Sequence, residues 1–189
     1  MPDLGGPAWR RVRAKARRGA SPSLSLHTLM SLDSSETVRY KRNHFSARLP
    51  KHFTYSLSHC WLTEMQPGLW RVGFTNFATR MLGEVVEFDF EVKAGDEVAV
   101  AQVVGWIEGF KAVSDIFCVA QGTFECINES AAENSELICS DPYGEGWLYQ
   151  VSGKPDPQTA DVDGYVEHLD RTIDKMLEKP WQSGEVGPP

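Results

Sequence analysis

Within residues 104–119 a single lysine, Lys111, stands between two apolar runs, each long enough for a short strand, with Gly109, Ser114 and Asp115 flanking it as turn residues. That pattern predicts a β-hairpin with the lysine at or near its tip, the amine held in water on a fixed base. Such an amine suits covalent modification by one enzyme and presentation to others. A charged hairpin residue also blunts a sheet edge, so the pattern alone leaves both uses open. The adjacent His59 and Cys60 offer a base beside a nucleophile, but neighbours along a strand point to opposite faces and cannot easily share a proton. The cysteines, Cys60, Cys118, Cys126 and Cys139, form no C-x-x-C pair and have no histidine at zinc-ligand spacing, which argues against a metal centre. Cys118 and Cys126 lie in apolar strand-like runs and read as small core residues.

The elements that must hold Lys111 are short strands with turn punctuation. Residues 61–65 and 69–72 flank Gln66-Pro67-Gly68, a proline-glycine turn. Thr75 reads as the N-cap of a helix whose Phe77, Met81 and Leu82 share one face and which Gly83 ends with a left-handed cap. Residues 84–90 alternate polar and apolar, the mark of a half-buried strand. Ala94-Gly95-Asp96-Glu97-Val98 and Ala120-Gln121-Gly122-Thr123-Phe124 each put a glycine turn before a strand, one ahead of the lysine hairpin and one behind it. This weak repeat predicts a mainly β fold, a flattened barrel or sandwich of two antiparallel sheets with the lysine at one end. Residues 128–136 read as a short helix or loop, 141–146 as a double turn and 147–151 as the last strand. A linker over 152–162 leads to a C-terminal helix over 163–178, with Val166, Leu169, Ile173 and Leu177 as its packing stripe.

Composition narrows the partners. With 189 residues, 41% of them hydrophobic, the chain supports one core and leaves tails to spare. No apolar run approaches the roughly 18 residues of a membrane span. Residues 1–30 carry six Lys/Arg against one acid; the remainder carries 13 against 25, a balance of −12. Such a body repels nucleic-acid phosphates and suits docking on basic protein surfaces. The arginines and serines of residues 1–30 have the composition of a mitochondrial transit peptide, but Pro2 and Pro7 disfavour an amphipathic helix and Met30 offers an alternative start. The reading adopted is a cytoplasmic monomer, with the mitochondrial matrix as the alternative if residues 1–30 are a transit peptide. Residues 39–54 mix bases with aromatics, as in a surface arm packed by its rings.

Five separated segments recur in an order and spacing seen in one family. They are Ser58-His59-Cys60-Trp61, Gly73-Phe74-Thr75-Asn76-Phe77-Ala78, Leu82-Gly83-Glu84-Val85-Val86, Glu108-Gly109-Phe110-Lys111-Ala112-Val113-Ser114-Asp115, and Asp141-Pro142-Tyr143-Gly144-Glu145-Gly146-Trp147-Leu148. In these the chain resembles the H protein of the glycine cleavage system, a lipoyl carrier, from about Tyr55 to Val151. With the patterns on either side, this divides the chain into a disordered extension (1–38), the basic arm (39–54), a lipoyl-type domain (55–151) that alone rests on the resemblance, the linker, the helix and a tail (179–189).

The resemblance implies a non-catalytic carrier with lipoate in amide linkage to Lys111, bearing an aminomethyl group in glycine decarboxylation. It implies glycine decarboxylase, aminomethyltransferase, dihydrolipoyl dehydrogenase, and a lipoate ligase or lipoyl transferase as partners. Glu108 and Asp115 bracket the lysine as acidic recognition residues. In the family a glutamate, a serine and the aspartate after the lysine hold the loaded arm in a cleft. Ser58 and Asp115 match two of these, while Cys60 stands where the glutamate is usual. If Cys60 is partly exposed and ionisable, it exchanges with the arm's dithiolane. Gly109 and Phe110 also depart from the usual attachment motif, and the helix after Thr75 makes the cleft less acidic and more apolar. The same carrier in another pathway, sulfur oxidation or relay of lipoyl groups, is the alternative reading.

Overall fold

The computed structural model describes residues 36–178. The expected disordered head (before residue 36) and the tail after 178 lie outside the described residues. In chain order, β1 (Thr37–Arg42) and β2 (Phe45–Pro50) precede β3 (Thr54–Tyr55), β4 (Cys60–Gln66) and β5 (Leu69–Phe74). Helix α1 (Asn76–Leu82) leads to β6 (Val85–Phe90), β7 (Glu97–Val98), β8 (Val103–Gly109) and β9 (Val113–Phe117). Strand β10 (Ala120–Ile127), two short helices α2 (Glu129–Glu133) and α3 (Leu137–Ser140), β11 (Trp147–Pro155) and α4 (Val162–Glu178) complete it.

Beside the β1–β2 hairpin, the strands form two antiparallel sheets, in the orders β3-β4-β5-β11-β10-β7 and β6-β8-β9. The two glycine-turn units meet directly, with Val98 opposite Gly122 and Glu97 opposite Thr123. Both sheets contribute to one buried cluster that includes Leu62, Val72, Val104, Ile107, Ile116, Phe124 and Leu148. Removing each such side chain from water stabilises the fold by about 1.5–3 kcal/mol.

A second cluster joins the β1–β2 hairpin, the first strands of the large sheet, α1 and α4. Tyr55 stacks on Tyr165 with ring centroids 4.6 Å apart, Phe53 stacks on Trp61 at 4.7 Å, and Phe45 meets Phe77 edge-on at 5.3 Å. The basic arm is therefore an ordered hairpin, and its strand begins at Thr37, inside the stretch expected to be disordered.

Further sequence expectations change. Strand β11 runs to Pro155, four residues into the expected linker, because residues 152–155 pair with β10 from Thr123 back to Ala120. Gly122 and Gly153 face each other there; a Cβ on either would strike the opposing backbone. The packing stripe of α4 is Val162, Tyr165, Leu169 and Ile173, while Leu177 is 55% exposed. Cys126 is exposed, because a bulge between Phe124 and Cys126 breaks the alternation that would have turned it inward. Cys118 is buried as expected.

Candidate functional site

The lysine hairpin is tighter than its composition suggests. Ser114 and Asp115 are not turn residues; they lie in β9, opposite Ile107 and Trp106. The turn is Phe110-Lys111-Ala112 alone, closed by the Gly109 N–H donating to the Ala112 carbonyl at 2.9 Å. Two further N–H groups fix the tip to the α1–β6 connection. Phe110 donates to the Glu84 carbonyl at 3.0 Å and Lys111 to the Leu82 carbonyl at 2.9 Å.

Two glycines make that close approach possible. A Cβ on Gly109 would run into the Leu82 carbonyl. Gly83 takes φ 81°, and a Cβ there would stand 3.1 Å from Lys111 Cγ. Gly83 also ends α1, with ψ −161° in place of the expected left-handed helical cap, donating its N–H to the Thr79 carbonyl at 2.9 Å, and Thr75 caps the other end as expected by accepting from the Ala78 N–H at 3.5 Å. The Lys111 ammonium reaches back to donate to the Arg80 carbonyl at 3.3 Å and is exposed, next to Phe110, which is 76% exposed. The base of the lysine is rigid while its amine is in water.

Beside the turn lies a cleft of about 300 Å³. It is lined by the Ser58-His59-Cys60 loop, by Phe77, Ala78, Met81 and Leu82 of α1, and by residues 112–115 and Phe117 of the hairpin. The fold thus gathers Ser58, Cys60 and Asp115 around one cleft, with Lys111 in the turn beside it. Glu108 is separate: it is exposed beside Glu87 across the β6–β8 pairing and does not line the cleft. Met81, expected on the core face of its helix, is an exposed residue of the cleft wall.

Apart from Asp115, the polar groups of the wall carry little charge. Cys60 is buried and its thiol is pushed up to about 12, chiefly by desolvation, against hydrogen bonds from Ser58 and Ser56 that favour the thiolate. The condition for exchange with a dithiolane, an exposed and ionisable Cys60, is not met. His59 does not lie in a strand; it takes φ 62° just before β4, which turns it and Cys60 towards the same cleft. Its Nδ1 lies 3.0 Å from the Tyr165 hydroxyl, which lies 2.9 Å from Thr75 Oγ1. Burial first, and the neighbouring His168 second, bring the imidazole down to about 4. A neutral imidazole committed to Tyr165 and a protonated thiol do not form a nucleophilic pair. Tyr165 is the site residue that the sequence pattern does not show, since the expected stripe takes Val166 beside it; Leu169 and Ile173 are buried as expected.

A family model described as Glycine cleavage H-protein matches residues 53–170. The chain belongs to the glycine cleavage H-protein family. The family match takes in all of both sheets and half of α4, reaching beyond Val151, and it starts after the β1–β2 hairpin. The glycine cleavage system H protein of Psychrobacter sp. (strain PRwf-1) is 38% identical over 110 residues, covering 58% of this chain and 85% of its own. That of Corynebacterium jeikeium (strain K411) is 39% identical over 106 residues, covering 54% and 83%. The crystal structure of the H protein from Mycobacterium marinum superposes with a TM-score of 0.60 at 28% identity, over 65% of this chain and 99% of that one. Among the described residues no helix is long and apolar enough to cross a membrane.

Proposed function

We propose that the chain is a non-catalytic lipoyl carrier, with lipoate in amide linkage to Lys111, that shuttles an aminomethyl group among the enzymes of glycine decarboxylation. The observation that carries this is the pairing of a fixed backbone with a free amine. The Leu82 and Glu84 carbonyls hold the tip, while Lys111 Nζ makes an exposed hydrogen bond to the Arg80 carbonyl. A carrier needs that combination, since an attachment point that drifts forfeits the orientation its partner enzymes depend on.

The surroundings fit the group. Phe77, Met81, Val113 and Phe117 offer an apolar wall to a cleft of about 300 Å³, and Asp115 supplies a carboxylate among them. Lipoate would supply a disulfide that opens to two thiols, takes a group on sulfur and closes again with loss of two electrons. The chain's own part is to hold the amide end still, to shelter the far end from water and to display Glu108 and Asp115 to a basic partner face. Cys60 contributes packing rather than redox chemistry. On this reading the partners are a glycine decarboxylase, an aminomethyltransferase, a dihydrolipoyl dehydrogenase and the ligase or transferase that attaches lipoate.

Expression with lipoate in a host whose ligases modify H proteins tests the reading. Peptide mapping should find one lipoyl group, on Lys111, and Lys111→Arg should abolish it. An unmodified Lys111 under those conditions would sink the proposal.

A further inference from the structure

Residues 36–52 carry five Lys/Arg against one acid, whereas residues 53–178 carry seven against 22. The basic stretch sits on a body of opposite sign and lies ahead of the residues matched to the family. It is held firmly. On its inner face Tyr40, Phe45, Ala47 and Leu49 are buried, and the Tyr40 hydroxyl donates to Asp170 at 2.8 Å. Arg42 grips Asp170 at 3.0 Å and Asp174 at 2.6 Å.

The outer face presents Arg39, Lys41 and Arg48, all exposed. Arg39 stands directly opposite Arg48, and none of these three is ion-paired with a carboxylate among the described residues. Like charges opposed across a strand pair repel, so this arrangement costs the hairpin stability unless an anion meets it. The hairpin's inner face meets α1 at Arg80, the residue that also contacts the lysine. The Arg80 guanidinium lies 5.2 Å from the centroid of the Phe45 ring, and its carbonyl accepts from Lys111 Nζ.

We propose that the outer face of β1–β2 is a docking platform for an acidic segment of a partner enzyme that works on the Lys111 arm. The partner's identity rests on the carrier reading; the acidity of the ligand rests on the hairpin alone. A short acidic segment is favoured over nucleic acid because a phosphate backbone extending past the platform meets the acidic body. A short segment stays within the roughly 8 Å over which charges act at physiological salt. The molecule then shows two faces of opposite sign, Glu108 and Asp115 on the lysine hairpin and Arg39, Lys41 and Arg48 on the added one, and so sorts partners by charge.

The test compares the full lipoylated chain with the variant R39E/K41E/R48E, and with R39Q/K41Q/R48Q should the charge reversal impair folding. KM for the carrier is measured with glycine decarboxylase, aminomethyltransferase and dihydrolipoyl dehydrogenase across a range of salt. With at least one enzyme KM should rise about tenfold at unchanged kcat, and its salt dependence should flatten. Unchanged KM with all three overturns the proposal. So does tight binding of a 20-nucleotide single-stranded RNA that the variant loses, or self-association of the wild type that the variant loses. If Lys111 takes no lipoate, the carrier reading fails on its own account. About tenfold weaker binding of poly-L-glutamate by the variant would then still uphold an acidic ligand, and equal binding would remove that too.

Discussion

Cys60 sits where a thiol beside a swinging disulfide would invite exchange, and its environment decides against it. Exchange runs through the thiolate, and a thiol that is 1% exposed and pushed up to about 12 supplies almost none at neutral pH. In native protein at pH 8, iodoacetamide should label the exposed Cys126 and leave Cys60 unlabelled, and no Cys60–lipoyl disulfide should appear by mass. Rapid labelling of Cys60 would restore the redox reading. Tyr165 is the other decisive residue, since its hydroxyl links the cap of α1 to His59. Tyr165→Phe keeps the stack on Tyr55 but leaves Thr75 and His59 short of a partner. It should cost about 1–3 kcal/mol in urea unfolding, the usual penalty for orphaned buried groups. A loss near zero would mean that water replaces the hydroxyl.

At the scale of elements, the α1–β6 connection and the β8–β9 turn are one device, because each supplies what the other lacks. The connection offers the carbonyls of Leu82 and Glu84, and the turn offers its N–H groups. Gly109→Ala should force the two apart and cost about 1–3 kcal/mol, as overpacking typically does. Gly83→Ala, which also forces a side chain into φ 81°, should cost a comparable amount. Both variants should take up lipoate more slowly than the wild type, measured as the fraction modified against time, since the ligase meets a tip that is no longer fixed. Unchanged rates in both would show that the ligase reads the local sequence alone.

The whole molecule depends on α4, which closes the aromatic cluster and holds the cleft loop through Tyr165–His59 and through His168, whose Nε2 lies 3.1 Å from the Leu57 carbonyl. His59 makes that closure sensitive to acid. Its folded value of about 4 lies below the unfolded 6.5, so between these values the unfolded chain binds more protons. Stability is full above pH 6.5 and falls as the pH drops towards 4, by roughly 3 kcal/mol from this group. Urea midpoints across pH 4–7 should show the slope, and His59→Asn should flatten it. Ending the chain at residue 161 removes Tyr165, Leu169 and Ile173 from the cluster and should yield a protein that binds hydrophobic dyes or fails to fold.

Much of this was legible in the sequence for a physical reason. The alternation in residues 84–90, the Pro67-Gly68 turn, the Thr75 cap and the Gly83 stop act over a few residues, so β6, the β4–β5 hairpin, α1 and the lysine hairpin could be read directly, as could the segments that mark the family. Tertiary structure decided what depends on distant partners. The bulge after Phe124 turned Cys126 outward, and pairing with β10 carried β11 to Pro155. The aromatic cluster buried Tyr165, left Leu177 exposed and made an ordered hairpin of the basic arm. The burial of Cys60 is of the same kind. A local sequence names a thiol, but only the sheets, α1 and the Ser56–Ser58 loop around it determine whether it can ionise.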